Sequence, residues 1–100
     1  MSKVKHIAFV KFKEGTSSEQ IDNLFDQLLD LTENIGGLED YVSGPNTSPE
    51  GLNQGYSHAF IMTFTDAAAR DAYLPHPDHE RFKEMAMPLI DAVAIIDFEV

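Results

Sequence analysis

The chain has 100 residues, of which 43% are hydrophobic, and this size suits one domain with a core between a sheet and a layer of helices. It contains no cysteine, which excludes disulfides, thiolate nucleophiles and cysteine-ligated metal sites. Its formal net charge of −10 argues against nucleic acid and anionic membrane surfaces as partners, because both would repel it.

The hydropathy of the chain predicts a cytoplasmic protein. No apolar run approaches the roughly 20 residues that are needed to cross a bilayer. The first residues lead into a strand pattern rather than a signal peptide. We therefore expect a cytoplasmic location and no membrane partner.

The first predicted element is a strand over residues 4–12, in which successive side chains alternate between two faces. Both faces are apolar at the centre, with Ala8 and Val10 on one and Ile7 and Phe9 on the other. A sheet strand with one solvated face would not show this pattern. We therefore expect each side of this strand to be covered.

A helix is predicted to begin after Ser17, which forms a capping-box pattern with Gln20. Its opposite side is acidic and is expected to face water. Gly36 and Gly37 provide the stop. The apolar stripe of this helix consists of Ile21, Leu24, Phe25, Leu28, Leu31 and Ile35.

The middle of the chain predicts two strands and a long connection. A strand is predicted over residues 38–43, and residues 44–55 are rich in Gly, Pro, Asn and Ser, so they form a loop that is a candidate lid. The third strand covers residues 56–64, with His58 and Phe64 on one face and Ile61 on the other.

The last third predicts two helical segments and a strand. Asp66 caps a short helix that runs to Tyr73, Pro77 opens another helix, and residues 92–100 form the final strand. The order β-α-β-β-α-β is that of an α+β, ferredoxin-like split βαβ domain, with a four-stranded antiparallel-type sheet and helices on one face. Within it we expect the first and third strands to be adjacent and parallel, so that His6 and His58 converge at one end of the sheet.

Several residues together resemble a known family. They are His6 at the opening of the first strand, Gly55-Tyr56-Ser57-His58 before the third, Phe64 at its end, Tyr73, His76-Pro77-Asp78-His79, and Asp97-Phe98. Over nearly the whole chain this pattern resembles the stress-responsive dimeric A/B barrel (Dabb) family, and the Tyr-x-x-His-Pro-x-His element is its most specific part. The resemblance implies a homodimer in which two sheets face each other as an α+β barrel. Its interface would include Ile7, Phe9 and Ile61.

The resemblance also implies candidate site residues. Plant polyketide cyclases of the family close a ring by aldol chemistry with a histidine and a tyrosine, which match His79 and Tyr73 here. A second pocket tyrosine of these cyclases matches Leu28, a departure that argues against the plant substrate. No cofactor is implied. A small, mostly apolar pocket would be lined by His6, His58, Leu28, Phe25 and Phe82.

The two matched residues have suitable chemistry for carbonyl compounds. If His79 lies in the first turn of its helix, the positive end of the helix dipole disfavours the imidazolium ion and keeps a neutral base available. A neutral imidazole can take a proton from carbon next to a carbonyl, and the hydroxyl of Tyr73 can hydrogen-bond the developing enolate oxygen.

Three functions remain open on these grounds. The first is a homodimer that binds a small organic molecule, the second is a cyclase, lyase or isomerase that uses His79 and Tyr73, and the third is a structural unit that stacks dimers. The histidines and Tyr73 could equally cap strand and helix ends without chemistry, and His76 could be a helix cap. No metal is predicted, because His76 and His79 are three residues apart across a proline rather than on an established helix face.

Overall fold

The computed structural model describes residues 2–100. The predicted α+β order is confirmed, with two helical segments between the third and fourth strands. None of the helices in this range is both long and apolar enough to span a membrane. The elements in chain order are β1 (Val4–Phe12), α1 (Ser18–Glu33), β2 (Leu38–Pro45), β3 (His58–Phe64), α2 (Ala67–Tyr73), α3 (Pro77–Ala86), a 3-10 turn (Met87–Leu89) and β4 (Ile90–Glu99).

Helix α1 begins where the capping box predicts. The backbone N–H of Gln20 donates to the side-chain oxygen of Ser17 over 3.1 Å, and the backbone N–H of Ser17 donates to the side chain of Gln20 over 2.9 Å. The side chains of Asp66 and His76 cap α2 and α3 in a similar way. Three local signals in the sequence therefore set where the helices start.

The sheet has the strand order β2-β3-β1-β4, and every neighbouring pair is antiparallel. The expectation that β1 and β3 run parallel is therefore wrong. Helix α1 returns the chain so that β2 runs in the same direction as β1, and the following connection reverses β3, which then lies between them. Strand β3 must therefore run antiparallel to both β1 and β2.

The helices cover one face of the sheet and bury the core against it. Burying each of the larger apolar side chains there stabilises the fold by about 1.5–3 kcal/mol. The same face carries His6, which is 4% exposed. The core cluster consists of Val4, Leu28, Leu31, Ile35, Met62, Phe64 and Tyr73.

The other face of the sheet is apolar, and within residues 2–100 several of its large side chains stay exposed. The strand register pairs Ile7 with Ile61 on β3 and with Ile96 on β4. Phe9 is 37% exposed, Ile96 58% and Phe98 49%. An apolar patch of this kind is typical of an interaction surface. We call these five residues, Ile7, Phe9, Ile61, Ile96 and Phe98, the open face.

Candidate functional site

Tyr73 and His79 are brought together by the turn between α2 and α3. Tyr73 ends α2, and His79 lies in the first turn of α3, which opens at Pro77 where a missing N–H costs no hydrogen bond. The two rings are stacked, with centroids 4.3 Å apart and planes inclined by 29°. The residues that the resemblance pairs as acid and base are therefore direct neighbours.

The hydrogen bonding of His79 determines which ring nitrogen is free. Its Nδ1 atom lies 2.8 Å from the carbonyl oxygen of Leu74, which can only accept, so Nδ1 carries the proton. Burial lowers the pKa of His79, the hydrogen bond to Leu74 opposes this shift, and the charge of Lys83 adds to it. The side chain is therefore neutral at pH 7 and has its lone pair on Nε2.

Tyr73 is almost fully buried, at 2% exposure. Its ring packs against Phe64 with a centroid distance of 5.3 Å. Burial raises the pKa of the Tyr73 hydroxyl, and the nearby hydroxyl of Tyr41 raises it further. The hydroxyl therefore keeps its proton and is available as a hydrogen-bond donor.

Tyr41 is an interior residue that the sequence analysis did not identify. It lies on β2 opposite Met62, on the face that the helices cover. Its hydroxyl is buried and has no hydrogen-bond partner within residues 2–100. Burial raises the pKa of Tyr41, and the nearby Ser43 partly opposes the shift. A buried hydroxyl without a partner costs about 1–3 kcal/mol, so a ligand that hydrogen-bonds to it would gain affinity.

His6 completes this part of the interior from β1. Its ring centroid lies 6.3 Å from that of Tyr73, in an edge-to-face arrangement. Phe60 and Phe64 are at similar centroid distances, 6.3 Å and 6.2 Å. The Nδ1 atom of His6 is 2.7 Å from a carboxylate oxygen of Asp97. We call His6, Tyr73 and His79 the His–Tyr group.

His58 does not join this group, so the expected convergence of His6 and His58 is wrong. Because β1 and β3 are antiparallel, His58 pairs with Val10, whereas His6 pairs with Met62. Val10 is four residues along β1 from His6, or roughly 13 Å at about 3.3 Å per residue. His58 instead stacks on Phe25 with ring centroids 5.4 Å apart. Burial lowers the pKa of His58, and the charge of Asp22 opposes this shift.

A cleft of about 290 Å³ lies beside His58. Much of its wall comes from residues 44–55, the candidate lid in the connection between β2 and β3. The cleft does not include any member of the His–Tyr group, so His58 belongs to a separate surface. Its lining residues are Phe9, Asn46, Leu52, Asn53, Gln54, Tyr56 and His58.

The other predicted pocket residues belong to the apolar surroundings of the core. Leu28 is fully buried in the core cluster. Phe25 and Phe82 are partly buried and pack against that cluster. Leu28 brings no hydroxyl into the interior from α1, whereas Tyr41 brings one from β2.

His76 lies outside the His–Tyr group and caps a helix. Its Nδ1 atom accepts a hydrogen bond from the backbone N–H of Asp78 over 3.0 Å, at the start of α3. Across residues 2–100, no three or more His, Asp or Glu side chains lie close enough together to hold a metal ion. The arrangement at Tyr73 and His79 can instead supply one hydrogen-bond donor and one neutral base.

Comparison with known proteins identifies relatives of the whole chain. A stress-response A/B barrel domain-containing protein of Arabidopsis thaliana is 34% identical over 96 residues, which are 96% of this chain and 88% of that protein. Olivetolic acid cyclase of Cannabis sativa is 25% identical over 95 residues, covering 95% of this chain and 94% of the cyclase.

A solved structure and a family model also match nearly the whole chain. The crystal structure of a dimeric ferredoxin-like protein of unknown function from Jannaschia sp. CCS1 matches with a TM-score of 0.86 and 29% identity, covering 98% of this chain and 99% of that one. Residues 4–100 match the model of the stress responsive A/B barrel domain. This chain therefore belongs to the stress-responsive A/B barrel domain family, Dabb.

Proposed function

We propose that the protein is a homodimer that binds a small organic carbonyl compound at the His–Tyr group, in a stress or metabolic role. The observation that carries the proposal is the stack of the Tyr73 ring on the His79 ring, which joins a tyrosine that keeps its proton to a neutral imidazole. A hydroxyl donor in apolar surroundings suits a carbonyl oxygen, which can only accept.

The surroundings of the His–Tyr group favour an apolar, aromatic ligand. Phe60 and Phe64 lie beside His6 and present ring faces and edges. Tyr73 and His6 are nearly buried, whereas His79 is only half-buried. We therefore place the entrance for a ligand at His79.

The homodimer is supported by the open face and by the solved relatives. The Jannaschia protein is described as dimeric and ferredoxin-like. In this chain Ile96 and Phe98 leave about half of their surface in water, although Val4, Ala8 and Val10 on the opposite face of β1 are buried. Pairing two open faces would remove this apolar surface from solvent and cover the second side of β1.

Titration with 4-hydroxyacetophenone tests the location of the site. This probe has an aromatic ring, a ketone oxygen that can accept from Tyr73, and a ring hydroxyl that can donate to a neutral imidazole. We expect NMR signals of Tyr73, His79 and His6 to shift on binding, because their rings would contact the ligand.

The cleft beside His58 provides the internal comparison for this titration. Signals of Leu52 and Tyr56, which line the cleft, should stay in place while those of the His–Tyr group move. If Leu52, Tyr56 and His58 shift instead, binding takes place in the cleft and the proposed site is wrong.

A second candidate function is enzymatic, and the free Nε2 atom of His79 favours it. In this reaction Nε2 takes a proton from the carbon next to a carbonyl, and the electron pair moves to the carbonyl oxygen. The hydroxyl of Tyr73 stabilises the resulting enolate oxygen by donating a hydrogen bond. The enolate carbon then attacks a second carbonyl of the substrate, which closes a ring without a cofactor. The π electrons of that carbonyl move to its oxygen, and the protonated His79 returns its proton to the resulting alkoxide, which leaves a hydroxyl group and the neutral base. The relative named olivetolic acid cyclase is consistent with such chemistry.

A further inference from the structure

His6 is held by a chain of two charged residues from different elements. Its Nδ1 atom is 2.7 Å from Oδ1 of Asp97, and Oδ2 of the same carboxylate accepts a hydrogen bond from Nη1 of Arg70 over 2.7 Å. The strand register pairs His6 with Asp97 across β1 and β4, so the backbone itself sets this contact. Arg70 reaches the carboxylate from α2, the helix that ends at Tyr73.

The network determines which nitrogen of His6 carries a proton. A carboxylate can only accept, so Nδ1 must donate, and in the neutral ring the lone pair is then on Nε2. Within residues 2–100 the imidazole makes no second hydrogen bond, because its remaining ring contacts are with Phe60, Phe64 and Tyr73. The Asp97 contact is therefore what distinguishes one ring nitrogen from the other.

Arg70 limits the ways in which Asp97 can move. The guanidinium engages Oδ2 of Asp97 through Nη1 and the carboxylate of Asp71 through Nε. The side chains of Arg70 and Asp97 are 24% and 22% exposed, so the pair is only partly solvated. A fixed guanidinium fork keeps one carboxylate oxygen occupied and directs the other to His6.

We propose that Asp97 and Arg70 are positioning residues, which fix the proton of His6 on Nδ1 so that Nε2 accepts a hydrogen bond from a hydroxyl group of the ligand. The inference rests on the proposed binding site beside Tyr73 and adds a substrate class to it, namely carbonyl compounds that also carry a hydroxyl group. The network joins residues from β1, α2 and β4, so sequence spacing alone does not reveal that they are in contact.

Nitrogen-15 NMR of the histidine rings gives the first readout, in alkaline solution where imidazoles are neutral. In the wild-type protein we expect the His6 proton on Nδ1. In Asp97→Asn the amide can donate as well as accept, so the ring should shift toward the tautomer with its proton on Nε2. A wild-type ring with its proton on Nε2 would overturn the inference whether or not any ligand binds.

The second readout is the binding of two probes. These are 4-hydroxyacetophenone and acetophenone, the second of which lacks the ring hydroxyl. Asp97→Asn should weaken the binding of 4-hydroxyacetophenone by about tenfold, the worth of one hydrogen bond, and leave acetophenone unchanged. If the ion pair is purely structural, its loss in Asp97→Asn should weaken the binding of both probes equally, and that result would overturn the inference.

Variants of Arg70 keep the test decisive if Asp97→Asn does not fold. Arg70→Met should reduce both the Nδ1 tautomer of His6 and the preference for the hydroxylated probe, and Arg70→Lys should restore them in part because it retains the charge. If the wild type, Arg70→Met and Arg70→Lys all prefer 4-hydroxyacetophenone over acetophenone to the same extent, the inference is rejected and the proposed binding site still stands. If neither probe contacts Tyr73 in the wild-type protein, the proposed function itself fails, and the inference with it.

Discussion

Phe9→Asp is expected to convert the proposed homodimer into a folded monomer. Phe9 lies at the centre of β1 on the open face, where it would meet the partner subunit. In a symmetric dimer the substitution introduces two unpaired carboxylates into an apolar interface, and each costs several kcal/mol to desolvate. The dissociation constant should therefore rise by at least about 1,000-fold. Light scattering should give the mass of one chain instead of two.

Leu29→Asp is the matched control for this substitution. Leu29 is an exposed apolar residue of α1, so the variant adds the same charge away from the open face. It should remain a dimer, and circular dichroism should show that both variants keep their secondary structure. A wild-type protein that is monomeric at micromolar concentration, or a Phe9→Asp protein that is still dimeric, would contradict the assembly.

His79→Ala is expected to abolish proton abstraction next to a ketone. The assay follows exchange of the acetyl methyl protons of 4-hydroxyacetophenone in deuterium oxide by proton NMR. Loss of a general base should reduce catalysed exchange by about 100- to 10,000-fold. Because burial lowers the pKa of His79, the wild-type rate should be constant around pH 7 and fall only on acidification, as the neutral base is lost.

His76→Ala is the control histidine in the same segment. Its side chain caps α3 by accepting from the backbone N–H of Asp78, so the exchange rate should be retained while stability falls by about 1 kcal/mol. If His79→Ala exchanges as fast as the wild type, the enzymatic candidate is wrong. Binding of the probe by a wild-type protein that does not catalyse exchange would favour the binding function alone.

Local patterns predicted most of the fold, because they report on interactions between residues that are close in sequence. The alternation around Ile7 and Phe9 identified β1, and the pairing of Ser17 with Gln20 identified the start of α1. The relative direction of β1 and β3 was predicted wrongly. It depends on how α1 returns the chain and on where β3 inserts, which are long-range choices that periodicity does not contain.

The site was predictable only in part, for the same reason. Tyr73 and His79 are six residues apart, and the turn between them brings the rings together. The contact of His6 with Asp97 spans 91 positions and depends on the register of β1 and β4. The hydroxyl of Tyr41 enters the interior from β2, whose buried face was not assigned, so no local signal connected it with Tyr73.

The most direct test of the central claim is an NMR titration of the His79 ring nitrogens. We predict a pKa below the ordinary imidazole value of 6.5, with the proton of the neutral ring on Nδ1 and the lone pair on Nε2. A pKa at or above 6.5 would contradict the burial of the ring, and a neutral ring with its proton on Nε2 would leave no lone pair on that nitrogen to act as the base.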